Sequence, residues 1–143
     1  MNLDDIHAAW KIDSIIDRQN LHVVSSEIGM LQSKYFRLLS NERLSLRLQE
    51  TEYKDLRLQK FIFFTQGPFK DDTRGWKLPA AGQVLNKNVD MYLDADKDLS
   101  EAWLKLKYQE EKVNVLIGIL DTIRNRSYHV NGTLEAMKFY EGR

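Results

Sequence analysis

The chain has no cysteine among its 143 residues. That excludes disulfide staples, thiolate zinc sites and cysteine nucleophiles, and it leaves the redox compartment undefined. Proline is almost missing: Pro68 and Pro79 are the only two, and both lie between Gly67 and Gly82. With so few helix breakers elsewhere, long helices are expected on either side of that stretch. No uncharged apolar run approaches the roughly 18 residues that a membrane span needs. The opening MNLDDIHAAW is acidic and has no apolar core segment, so it does not read as a secretory signal. The expectation is a soluble intracellular protein with no membrane partner. Net charge is missing as well, since 21 Lys and Arg balance 21 Asp and Glu.

That balance hides zones. Residues 1–30 hold Asp4, Asp5, Asp13, Asp17 and Glu27 against Lys11 and Arg18. Residues 34–60 carry Lys34, Arg37, Arg43, Arg47, Lys54, Arg57 and Lys60 against Glu42, Glu50, Glu52 and Asp55. Residues 90–101 turn acidic again through Asp90, Asp94, Asp96, Asp98 and Glu101, with Lys97 opposing. Alternating zones on an electroneutral chain promote self-association or give separate faces to separate partners; as ordinary solvated helix faces they would do neither.

The spacing of apolar residues predicts a nearly all-helical chain. Residues 3–12 form a short helix with Asp4 and Asp5 in its first turn. A second helix starts near Asp17 and places Leu21, Val24, Ile28, Leu31, Tyr35 and Leu38 at alternating steps of three and four. Ser40 or Asn41 interrupts it and caps a further helix, which Gly67-Pro68 ends near Gln66. Residues 67–87 are a loop, long enough to be functional or mobile. A short turn of helix covers Val89–Leu93. The longest helix runs from about Asp96 to Arg126, and Asn131 or Thr133 caps a last short one. The expected division is 1–66, 67–87 and 88–143.

Most candidate chemistry fails on inspection. Asp94 to Asp98 resembles the start of a calcium loop, but Leu99 stands where glycine must turn and Lys105 where glutamate must close the site. Capping of the following helix explains these acids better. His7, His22 and His129 have no second ligand at helical spacing, so no metal site is expected. GPFKDDTRGWK lacks the spacing of a phosphate loop. No nucleophile elbow is present. The chain reads as a binding protein with no catalytic residue and no cofactor, not as an enzyme.

The basic zone survives this weighing. Lys54, Arg57 and Lys60, extended by Arg43, Arg47 and Lys34, suit the phosphates of a flexible polyanion, and Phe61 or Phe64 could stack its bases. Phe63 belongs to the same cluster, of which at least two rings are expected in the core. The competing reading makes the Phe residues core and the cations solvent-facing ion-pair partners, Glu50 with Lys54 for example. The long C-terminal helix carries Leu99, Trp103, Leu106, Val113, Leu116, Ile117, Leu120 and Ile123 in a broad stripe. That stripe packs within the chain, joins copies of it, or does both.

The motifs, taken in order, resemble the UvsY recombination mediators of T-even-like phages. The N-terminal set is Leu3–Ile6, Asp13, Ile16-Asp17 and Leu31-Gln32-Ser33-Lys34-Tyr35. The C-terminal set is Ala95-Asp96-Lys97-Asp98, Asp121-x-Ile123-x-x-Arg126 and Phe139-x-x-Gly142. The resemblance covers nearly the whole chain. It implies an all-α protein with an N-terminal helical region and a long C-terminal helix that assembles a ring-like homo-oligomer, a heptamer. It implies binding to single-stranded DNA, to a phage recombinase and to a phage single-strand DNA-binding protein in the cytoplasm of an infected bacterium. The family's DNA-binding run aligns with Leu56-Arg57-Leu58-Gln59-Lys60 before Phe63-Phe64. Lys60 holds its second basic position and Leu58 its first, with Arg57 about 100° away on the helix. A helical coiled-coil scaffold with no nucleic-acid role is the alternative.

Overall fold

The computed structural model describes residues 1–16, 19 and 21–142. Asp17 and Arg18, and with them the expected start of the second helix, lie outside the described residues, as does the side chain of Leu21. The described residues form four helices in order: α1 (Leu3–Asp13), α2 (Leu21–Gln66), α3 (Val89–Ala95) and α4 (Lys97–Glu141). No strand occurs among the described residues, so the fold is all-α. Among the described residues no helix is long and apolar enough to cross a membrane.

Local chemistry sets the helix ends. The Asn2 side chain accepts from the Asp5 N–H at 2.8 Å, and the Asp5 carboxylate accepts from the Asn2 N–H at 3.0 Å. This reciprocal cap satisfies two of the donors that a helix start leaves open. The end of α2 is made by Gly67, whose φ of +81° lets its N–H reach the Phe63 carbonyl at 2.8 Å. Asp96 caps α4: its side chain accepts from the Leu99 N–H at 3.0 Å.

Two expected helix breaks do not occur. α2 runs unbroken through Ser40 and Asn41. A cap residue acts where the backbone leaves helical geometry. Here buried Tyr35 and Leu39 and half-buried Glu42 keep the helix packed across the site. α4 likewise runs through Arg126, Asn131 and Thr133 to Glu141. Thr133 does not cap; its hydroxyl donates to the His129 carbonyl one turn back at 2.9 Å.

The chain forms two compact units, and the division between them falls within both long helices. One comprises Met1–Ser45 with Gln109–Arg143, the other Leu46–Tyr108. The first buries Ile6, Ile28, Tyr35, Leu39, Val113, Leu116, Ile119, Ile123 and Val130. Several polar side chains of this unit are paired with one another. Asp13 accepts from Lys34 Nζ at 2.6 Å and from the Tyr35 hydroxyl at 2.7 Å. Burial alone would raise the Asp13 pKa, but these two donors hold it below the usual range. Burial and then the Asp13 carboxylate push the Tyr35 hydroxyl upward. Arg126 donates to the Ser14 carbonyl at 2.8 Å and stands 5.4 Å over the Trp10 ring. Glu42 accepts from Gln109 Nε2 at 2.6 Å and pairs with Lys112 at 2.9 Å.

The second unit packs Phe63, Phe64, Val84, Val89, Leu93 and Leu99 together, with Tyr53, Leu56, Phe61, Trp76, Leu78 and Tyr92 around them. The loop after α2 closes onto this core. The Val84 N–H donates to the Phe64 carbonyl at 2.7 Å, and Gln83 Nε2 donates to the Gln66 carbonyl at 3.1 Å.

Of the two roles open to the α4 stripe, packing within the chain is the one its burial displays. Leu99, Leu106, Val113, Leu116 and Ile123 are buried within the chain itself. Ile117 and Leu120 are half-buried. Trp103, 46% exposed, is the member that the fold leaves on the surface, with Leu104 and Tyr108 beside it. An apolar side chain removed from water by its own core has little area left to bury elsewhere.

Candidate nucleic-acid interface

The sequence-predicted cations do not share one fate. Lys60 is 3% exposed. Its ammonium lies 2.8 Å from Asp98, 3.2 Å from Asp96 and 4.0 Å from the centre of the Trp76 ring. Two carboxylates and an indole face replace its water, the combination a buried charge needs. The expectation of Lys60 on a phosphate-binding surface is therefore corrected. Lys34 is likewise engaged, by Asp13, though half of its side chain stays in solvent.

Arg57 is intermediate. It lies 3.5 Å from Asp90 and 3.9 Å from Asp94, both well exposed, and keeps 38% of its own side-chain surface. Loose exposed pairs of this kind contribute about 0–1 kcal/mol. Arg47 and Lys54 are exposed, and no ion pair reaches them among the described residues; the Glu50–Lys54 pair of the competing reading is not formed. Arg43 is exposed too, within the other unit.

The aromatic cluster also differs. Phe63 and Phe64 are buried, and half-buried Phe61 packs against the same core. Phe61 and Phe64 are thereby corrected from stacking surfaces to packing residues. The Phe63 ring meets Phe64 and Trp76 edge-on at 5.7 and 5.5 Å.

Sequence reasoning missed what stands in the loop. Phe69 is 62% exposed. The Arg74 guanidinium lies 4.8 Å from its ring and 4.0 Å from that of Trp76. Asp72 fixes Arg74 through Nε at 2.9 Å and NH2 at 2.6 Å. Those hydrogen bonds from Arg74 lower the Asp72 pKa to about 2. The signal was there in Phe69-Lys70-Asp71-Asp72-Thr73-Arg74-Gly75-Trp76, where two aromatics flank a charged run. The pairing itself depends on turn geometry that spacing does not reveal.

Four of the exposed α2 positions of this unit lie close to one line, with exposed Thr51 among them and exposed Asp55 at its edge. Arg47, Lys54, Leu58 and Ile62 follow at steps of seven, four and four. At about 100° per residue they fall within an arc of about 80°. Two cations and two apolar side chains thus share one face. Among the described residues no group of His, Asp and Glu side chains could hold a metal ion.

Known structures share this architecture. One crystal structure of the bacteriophage T4 recombination mediator protein UvsY superposes with a TM-score of 0.80 at 22% identity, covering 100% of this chain and 99% of that one. A second crystal lattice of the same protein gives 0.82 at 21% identity, covering 97% and 99%. At such identity the likeness establishes the fold. No curated protein sequence matches the chain. The family model described as "Recombination, repair and ssDNA binding protein UvsY" matches residues 9–143. Matched over nearly its whole length, the chain belongs to the UvsY family.

Proposed function

We propose that the chain is a recombination mediator: it binds single-stranded DNA and helps to load a phage recombinase onto strands covered by a single-strand DNA-binding protein. The observation that carries this reading is the family match over residues 9–143. The exposed, unpaired Arg47 and Lys54 support it, because they offer charge where a phosphate chain can reach it. Arg57 joins them by exchanging its loose carboxylate partners for phosphates. Lys60 has a different role: it holds the acidic start of α4 against the end of α2, so that the exposed cations sit on a fixed scaffold.

Two or three cations give weak binding to a single site. Assembly into a ring-shaped homo-oligomer, a heptamer in this reading, repeats the patch and converts weak contacts into avidity along one strand. The host-cell cytoplasm is the compartment where such partners meet. Two assays test the proposal. Anisotropy of a labelled oligonucleotide should rise on adding the protein at low salt and fall steeply as salt increases. Recombinase should assemble on covered strands faster with the protein than without it. A protein that shows neither is a helical scaffold instead.

A further inference from the structure

The face of α2 that carries Arg47 and Lys54 leads into a groove between the end of that helix and the following loop. Gln59, Ile62, Gln66, Gly67, Pro68, Phe69 and Arg74 line it, enclosing about 350 Å³. Ile62 is 42% exposed and Phe69 62% exposed, so the groove offers apolar surface to solvent. Ile62 lies about 12 Å along the helix from Lys54, at a rise of about 1.5 Å per residue.

Phe69 is held in position by its surroundings. Gly67 at φ +81° and Asp71 at φ +86° bracket it with left-handed turns. The Asp72 N–H donates to the Phe69 carbonyl at 3.2 Å. The Arg74 guanidinium lies against the Phe69 ring and is anchored by Asp72 and by the Trp76 ring. A fixed aromatic ring that lies beside a guanidinium and opens to water on a cationic helix face is suited to a flat, electron-rich ring carried on an anionic chain. Arginine and aromatic planes are the surfaces on which unpaired bases stack.

We infer that Phe69, backed by Arg74 and flanked by Ile62, is a stacking platform for one unpaired nucleobase of a DNA strand whose phosphates lie on Arg47 and Lys54. This inference rests on the single-stranded-DNA reading above and adds a base site to it. The strand is thereby distinguished from a featureless polyanion, without reading its sequence, since every base offers a π face.

The test compares a labelled oligothymidylate with an abasic deoxyribose-phosphate oligomer of equal length, using the full chain and the variants Phe69→Ala and Phe69→Trp. The wild type should prefer the oligothymidylate. Phe69→Ala should weaken that binding by about 5- to 150-fold, leave the abasic oligomer unaffected, and retain the wild-type circular dichroism. Phe69→Trp should restore the preference. If Phe69→Ala leaves oligothymidylate affinity unchanged, or weakens both oligomers equally, the base site is wrong while DNA binding stands. If Phe69→Ala alters only the oligomeric state seen by light scattering, the groove belongs to a second copy of the chain and the base site is again wrong. A wild type that binds neither oligomer overturns the parent reading and this one with it.

Discussion

The Lys60 ammonium lies 2.8 Å from the Asp98 carboxylate and over the face of Trp76. This one relationship reorganises the reading of the basic zone. Lys60, expected from the sequence to touch phosphates, is an internal strut. Its partners come from the acidic stretch that otherwise reads as a failed calcium loop.

Removing the strut should therefore destabilise the protein. Lys60→Ala leaves Asp96, 12% exposed at its side chain, without its main counter-charge. Breaking a buried pair in this way costs about 3–5 kcal/mol. A lower urea midpoint for Lys60→Ala, with a smaller loss for Asp98→Asn at the more exposed carboxylate, is the expected result. A loss of DNA binding in Lys60→Ala would then report the fold and not a lost contact.

The exposed cations should behave in the opposite way. Arg47→Ala with Lys54→Ala should leave the thermal midpoint within a degree or two, as surface changes generally do. The same variant should weaken oligonucleotide binding. The slope of log affinity against log salt should become shallower by about 0.7 for each cation removed. Isothermal binding measured at several salt concentrations checks both the loss and the slope.

Much of this was legible from sequence. The absence of proline outside 68–79 and the apolar steps of three and four placed the helices. Gly67-Pro68 located the end of α2, and the acids around Asp96 were identified as a cap. The motif residues of the family resemblance now have physical reasons. Asp13, Lys34, Tyr35 and Arg126 meet in one hydrogen-bonded knot. Asp96 and Asp98 grip Lys60. Exposure was not legible. Lys54 and Lys60 look alike in a charge count, and only the return of the chain 36 residues later separates them. The unbroken course of α2 through Ser40-Asn41 was hidden for the same reason, because long-range packing overrides a weak local preference for capping.

The stripe on α4 yields a paired prediction. Leu116 is fully buried, so Leu116→Ala should lower stability by about 2–5 kcal/mol. Trp103 is exposed, so Trp103→Glu should leave the chain folded and, if the proposed ring forms, shift it to smaller species. Light scattering combined with circular dichroism separates the two effects. If Trp103→Glu leaves the mass unchanged, Trp103 does not join copies of the chain.

Acid should loosen the unit that contains Glu42. Burial alone would raise its pKa, but Gln109 and Lys112 hold it below its ordinary value of 4.5. The unfolded chain then binds the proton more readily than the folded one, so stability rises with pH through this window. The contribution is present above about 4.5 and is lost as pH falls through the lowered folded value. Thermal midpoints between neutrality and pH 3 should decline accordingly, and Glu42→Gln should flatten part of that decline.

The most direct test of the central claim, that the exposed cations of α2 hold the strand while Lys60 holds the fold, is lysine acetylation read by mass spectrometry with and without an oligonucleotide. Lys54 should react readily in the free protein and become protected when single-stranded DNA is added, while Lys60 stays inert in both states. A Lys60 that reacts in the free protein and is shielded by DNA, beside a Lys54 that the strand leaves unprotected, would contradict the account.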